Sequence, residues 1–111
     1  MKTIIAGGRD YSLTKQDFEY LDSLNITEVI SGGARGADNG GEYYSILRNL
    51  DLTIFKANWN RYPRAAGILR NKRMAKYAEA VVLFPGGRGT DNMYEIALKY
   101  GLKIYDNRKR G

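Results

Sequence analysis

Thr27-Glu28-Val29-Ile30-Ser31 runs directly into Gly32-Gly33-Ala34-Arg35-Gly36-Ala37-Asp38, and from there into a stretch with helical spacing. A short β-branched run that stops at glycines and resumes as a helix reads as one strand–loop–helix unit of a parallel sheet. The same pattern occurs upstream, where Thr3–Ala6 meets Gly7-Gly8-Arg9-Asp10. It occurs again downstream, where Ala80–Phe84 meets Pro85-Gly86-Gly87-Arg88-Gly89-Thr90. Leu52–Ala57 and Leu102–Tyr105 supply two further strand-like runs. Such short Val, Ile and Leu runs are expected where both faces of a sheet are covered.

The intervening segments carry helix signals. Thr14-Lys15-Gln16-Asp17 reads as a capping box, with Phe18, Leu21 and Leu24 on one face behind it. Asp38 stands where a cap for the second helix is expected, and Tyr43, Ile46, Leu47 and Leu50 form its apolar stripe. The third helix is expected over 64–77, just after Pro63. The fourth starts near Thr90 or Asp91 and stops at Gly101, a natural left-handed terminator. Strands alternating with helices predict a three-layer, Rossmann-like, doubly wound α/β sheet of about five mainly parallel strands. No repeat or composition break divides the chain, so one domain is expected over 1–111.

Composition narrows the chemistry. At 111 residues roughly two thirds of the unfolded surface can be buried, and no staple is needed. The chain has no cysteine and no histidine, which excludes disulfides, thiolate or imidazole metal sites and the usual triads. No metal or cofactor is expected. No apolar run approaches a membrane span, and Met1–Ala6 enters a glycine loop too soon for a signal peptide. A cytoplasmic protein with no membrane partner is therefore expected. The net charge of +6 suits nucleic acid, an anionic small ligand or plain solubility. Arg108, Lys109 and Arg110 read as a solvated tail, while other arginines sit inside the glycine loops.

In a parallel sheet the three glycine-rich connections share the carboxyl edge, where ligands bind at the topological switch point. Glycine admits close backbone approach, the next helix N-terminus presents free N–H groups, and one arginine per loop adds a phosphate donor. The chain has no G-x-x-x-x-G-K-[ST], and Gly87-Arg88-Gly89 is followed by Asn at position 92, so neither a P-loop nor a G-x-G-x-x-G dinucleotide site fits. Gly67, Arg70, Asn71, Met74 and Ala78 share one face of the third helix, which aims Arg70 and Asn71 at a phosphate or ribose. Trp59 and Tyr62 can each stack on a base, although for Trp59 a packing role under its loop is the expectation. Asp10, Asp38, Glu42 and Glu95 are the nearby acids. Without histidine, any hydrolysis must rely on a carboxylate, with Asp10, Asp38 and Glu42 as candidates.

Pro85-Gly86-Gly87-Arg88-Gly89-Thr90, preceded by Arg70, Met74 and Ala78-Glu79-Ala80, resembles the SLOG superfamily, which includes LOG phosphoribohydrolases, DprA and ligand-sensing SLOG domains. Ile5–Tyr11, Ser31–Asp38 and Ala66-Gly67…Arg70-Asn71…Met74 are similar to its small stand-alone YspA-like branch, found in bacteria and their phages. This resemblance spans essentially the whole chain. It implies a Rossmann-like fold that binds nucleotides or their derivatives through Gly7, Gly8, Arg9, Gly32, Gly33, Arg35, Gly36, Asp38, Arg70, Asn71, Gly86, Gly87, Gly89 and Thr90; the loop chemistry adds Asp10 and Arg88. LOG enzymes follow their P-G-G-x-G-T with a leucine and two glutamates, one of them catalytic. Here Asp91, Asn92 and Met93 stand instead, and Glu95 falls on a different helical face. The expectation is thus a sensor or sequestering module for a nucleotide-like small molecule. The alternatives are an N-glycosidic hydrolase of the phosphoribohydrolase kind and a DprA-like nucleic-acid binder. The tyrosines at 43, 44, 77, 94 and 100 leave room for a homo-oligomer.

Overall fold

The computed structural model describes residues 1–109, so Arg110 of the expected tail lies outside the described residues. Strands and helices alternate as β1 (Lys2–Ala6), α1 (Lys15–Asp22), β2 (Glu28–Ser31), α2 (Ala37–Leu47), β3 (Asp51–Ile54), α3 (Ala66–Tyr77), β4 (Ala80–Leu83), α4 (Arg88–Lys99) and β5 (Lys103–Asp106). Every neighbouring pair is parallel, in the order β3-β2-β1-β4-β5. The expected three-layer α/β fold is what forms.

Alternation along the strands divides the core in two. Ile5, Val29, Val82 and Phe84 pack with Leu21 of α1 and Tyr44 of α2. Their neighbours Ile4, Ile30, Val81 and Leu83 face the other way, against Met74 and Ala75 of α3 and Met93, Ile96 and Ala97 of α4. The chain crosses from one layer to the other between β3 and β4, so β1 and β4 lie side by side while their following loops diverge. That divergence is the switch point at which parallel sheets open a crevice.

Helix α1 begins as its sequence dictates. The Thr14 hydroxyl accepts the Asp17 N–H at 3.1 Å, and the Asp17 carboxylate accepts the Thr14 N–H at 3.0 Å. Asp17 is fully buried and also accepts the Tyr11 hydroxyl at 2.6 Å, so the cap doubles as a brace for the loop after β1. Gly101, with φ +72°, follows α4 as the expected left-handed stop.

Several expectations are corrected. The α2 stripe is inverted: Tyr43, Ile46 and Leu47 are exposed, and the helix buries Ala37, Asp38, Gly41, Tyr44 and Ser45. Small residues let α2 lie close on the sheet, where a Cβ on Gly41 would come within 2.9 Å of Ile5. Asp38 does not cap α2. It is one residue inside the helix, behind the cap residue Gly36, and its carboxylate turns back to the loop. Helix α4 starts at Arg88, two residues earlier than its polar sequence suggested. β3 ends at Ile54, because Phe55 donates to the last β2 carbonyl (2.8 Å) and the chain then leaves the sheet. Arg108 is no solvated tail: it bonds Asp106 (2.8 Å) and Asp91 (2.9 Å) and lies 4.2 Å over the Tyr94 ring. The five tyrosines form no common surface, since Tyr44 is buried under α2 while Tyr77, Tyr94 and Tyr100 belong to the opposite layer. No helix of the described residues is long and apolar enough to cross a membrane.

Candidate functional site

The three glycine-rich loops meet as one backbone assembly. Gly8 donates its N–H to the Pro85 carbonyl at 2.8 Å, and Ala37 donates to the Gly8 carbonyl at 3.1 Å. A Cβ on Gly86 would come within 2.6 Å of the Gly8 nitrogen and closer still to the Thr90 hydroxyl. Gly36, with φ +79°, would drive one to 2.3 Å from the Gly8 carbonyl oxygen. These glycines are therefore required by the packing of loop on loop. Gly87 and Gly89 differ: a Cβ on either would meet no atom within 4 Å, and neither has a positive φ.

Above these loops lies a crevice of about 580 Å³, a size typical of small-molecule sites. Gly7, Gly8 and Arg9 from the β1 loop, Gly32 from the β2 loop, and Gly87, Arg88, Gly89 and Thr90 from the start of α4 line it. Helix α3 contributes Gly67, Arg70, Asn71 and Met74 from the face that its spacing picks out. Helix α4 has no side-chain cap, so its first N–H groups are open to whatever occupies the crevice.

Arg70 and Asn71 are tied into the walls. Arg70 donates through Nη1 to the Gly32 carbonyl and through Nε to the Asn71 side-chain oxygen (3.0 Å). Asn71 in turn donates to Asn92 Oδ1 (3.0 Å) and to the Gly89 carbonyl (3.4 Å). The chain Gly32–Arg70–Asn71–Asn92 thus ties the β2 loop to α4 through α3. Burial pulls the Arg70 guanidinium below its usual pKa; nearby Asp38 opposes the shift and Arg9 reinforces it.

Of the three candidate acids, Asp38 alone lines the crevice. It is 7% exposed, and burial raises its carboxyl to about 6 against the opposing pull of the Ala34 N–H and Arg70. Asp10 is exposed and outside the lining. Glu42 accepts the buried Ser31 hydroxyl at 2.7 Å, and Ser31 accepts the Gly33 N–H at 3.0 Å, so Glu42 braces the β2 loop from behind. Glu95 is exposed and also outside the lining. Among the described residues no group of acids could hold a metal ion.

A second, shallower cavity of about 470 Å³ continues along the edge towards β3, bounded by Arg9, Gly32, Gly33, Arg35, Lys56, Trp59 and Arg70. Sequence reasoning missed Lys56, and also Arg64 and Asn92 in the main crevice, because nothing in their local sequence marks them as edge residues. It also misjudged Trp59, which is 49% exposed at the boundary of both cavities, its ring 3.4 Å from where a Gly67 Cβ would stand. Arg9, Arg35, Lys56, Arg64 and Arg88 have no carboxylate partner among the described residues.

No family model matches the chain. It is 33% identical over 84 residues to Gene 61 protein of Mycobacterium phage D29, an alignment covering 68% of this chain and 67% of the phage protein. The chain belongs to the Gene 61 protein family. Among solved structures, this Gene 61 family chain superposes on DNA processing protein A (DprA) from Streptococcus pneumoniae with a TM-score of 0.73 over 95% of its length. Identity there is 16%, and the chain spans about half (49%) of the DprA chain, so the likeness establishes a DprA-like fold.

Proposed function

We propose that the protein binds a phosphate-bearing, nucleotide-like ligand in the crevice between the β1 and β4 loops, acting as a sensor or sequestering module of the YspA-like kind. The observation that carries this reading is Gly89 in the first turn of α4, with Gly87 before it as the N-cap residue. Glycine inside a helical turn costs about 0.5–1 kcal/mol relative to alanine. At Gly89 neither packing nor a positive φ requires it. Both residues line the crevice at the uncapped start of α4, where a phosphate oxygen can approach backbone N–H groups only if no Cβ intervenes. Arg9, Arg64 and Arg88 around the same crevice add charged donors that the fold leaves uncommitted. Asn71 and Asn92 offer amide edges to a ribose or base, and Asp38 offers a carboxyl to ribose hydroxyls.

The test separates ligand from fold. Titration calorimetry with a panel of nucleoside mono-, di- and triphosphates is expected to find at least one ligand for the native protein. Gly89→Ala is expected to keep or raise the melting temperature, by up to about 1 kcal/mol of stability, while weakening that ligand at least tenfold. Equal binding by the alanine variant, or no nucleotide bound at all, would defeat the reading.

A second reading, cleavage of an N-glycosidic bond, draws on Asp38 as the single carboxylate lining the crevice, with a pKa suited to proton transfer near neutrality. Chromatography would then detect free base from a nucleotide incubated with the protein, and none with Asp38→Asn. A DprA-like role on nucleic acid is supported by the fold likeness and the unpartnered cations. It predicts oligonucleotide binding that weakens steeply with salt.

A further inference from the structure

The main crevice and the second cavity share a wall made by Arg9, Gly32, Trp59 and Arg70. Each side has its own means of holding an anion. In the crevice these are the open N–H groups of α4 and Arg88. In the second cavity they are Arg35 and Lys56, with no acid among the lining residues. The first lies over the gap between β1 and β4, and the second beside the ends of β2 and β3. Adjacent strands are about 4.8 Å apart, so the two anion positions are separated by on the order of 10 Å. A single diphosphate cannot reach both. Phosphates carried on two nucleosides can.

We infer that the ligand of the proposed site is a dinucleotide with two separated phosphates, one seated at the start of α4 and the other between Arg35 and Lys56, with a base against Trp59. The inference rests on the nucleotide-binding reading and specifies its ligand class. Trp59 is suited to the division: its half-exposed ring stands at the boundary of both cavities, with its edge resting against Gly67. Base stacking on an aromatic ring tolerates any base, so phosphate spacing would set the size of the ligand and other contacts its base.

Trp59 is the sole tryptophan of the chain, so its fluorescence reports on this position alone. The experiment titrates native protein with adenosine monophosphate, adenosine diphosphate, 5′-phosphorylated diadenylate and cyclic diadenylate, following Trp59 emission and the heat of binding. At least one dinucleotide is expected to quench Trp59 and to bind on the order of a hundredfold more tightly than either mononucleoside ligand. Lys56→Ala, at an exposed position that lines the second cavity but not the main crevice, is expected to erase most of that advantage while leaving mononucleotide affinity and the melting temperature unchanged. Mononucleotides bound as tightly as dinucleotides would overturn the inference and leave the nucleotide reading standing. Affinity that keeps rising with oligonucleotide length would overturn it in favour of a nucleic-acid strand. Calorimetry silent for every probe would remove both readings together.

Discussion

The two ends of the loop-bearing edge treat charge in opposite ways. Beyond β5, Arg108 is matched by Asp106 and Asp91 and covers the Tyr94 ring. Around the β1, β2 and β3 ends, Arg9, Arg35 and Lys56 have no carboxylate partner among the described residues, and Arg64 and Arg88 extend that unmatched set across the crevice. The carboxylates tell the same story in reverse. Hydrogen bonding from Arg108 draws Asp106 below its ordinary pKa, whereas burial pushes Asp38 up to about 6 despite Arg70 nearby. One end is electrostatically complete within the fold. The other has a surplus of cations, which favours an incoming anion, and a carboxyl that burial makes harder to ionise. The formal charge of +6 conveys none of this, because it averages the two ends.

The contrast is most exposed to charge reversal. Arg9→Glu with Arg35→Glu is expected to weaken nucleotide binding by on the order of a thousandfold at low salt, with stability changed by less than about 0.5 kcal/mol. Calorimetry and a denaturant titration read the two effects separately. Loss of stability of several kcal/mol would mean that these cations are structural after all.

Asp38 gives the next largest effect, through pH. Its folded-state value near 6 stands against 3.8 for the ordinary group, so the folded protein binds a proton more tightly than the unfolded chain. Its contribution to stability is therefore fully present below about pH 4 and lost as pH rises to above 6, on the order of 3 kcal/mol in all. Asp38→Asn should remove that dependence and melt higher than the native protein at pH 8, with little difference at pH 4. Asp106 has the opposite sign: its lowered pKa favours folding above the ordinary carboxylate range and ceases to do so on acidification. If the native and Asp38→Asn stability profiles run parallel from pH 4 to 8, the raised pKa is wrong.

The smallest effect belongs to the matched end. Arg108→Ala is expected to cost about 1 kcal/mol of stability, since its acidic partners are themselves partly exposed, and to leave nucleotide affinity unaltered. A thermal melt and one binding isotherm check both halves. Weakened binding would erase the distinction between the two ends.

The fold was legible because each strand–glycine–helix junction repeats one local grammar, and the crossover order follows from chirality and packing. The α2 stripe was misread for a physical reason. A helix that lies close on a sheet buries Ala37, Gly41 and Ser45, which a hydrophobicity pattern overlooks, while its exposed side holds Tyr43, Ile46 and Leu47. At the site, residue types and loops were readable but their division of labour was not. Gly8, Gly36 and Gly86 look the same in sequence as Gly87 and Gly89, yet the former three are held by neighbouring backbone and the latter two face open space. Arg70, expected to be free for a ligand, is bonded to Gly32 and Asn71, so its removal would disturb the walls as well as binding. Arg35, exposed and unbonded, is the cleaner probe. Lys56 and Arg64 owe their importance to tertiary placement alone.

The central pairing of β1 with β4 also sets a timetable. Lys2 and Glu79, joined where these strands begin, are separated by 77 residues. At about 5–20 residues per second of synthesis, β1 waits several seconds for the strand that completes its other side. Until then the Gly8 N–H lacks the Pro85 carbonyl, and the ligand crevice has only one bank. A nascent chain can shape the β1–β2–β3 half early, but the binding site comes into being only once β4 and the start of α4 have joined it.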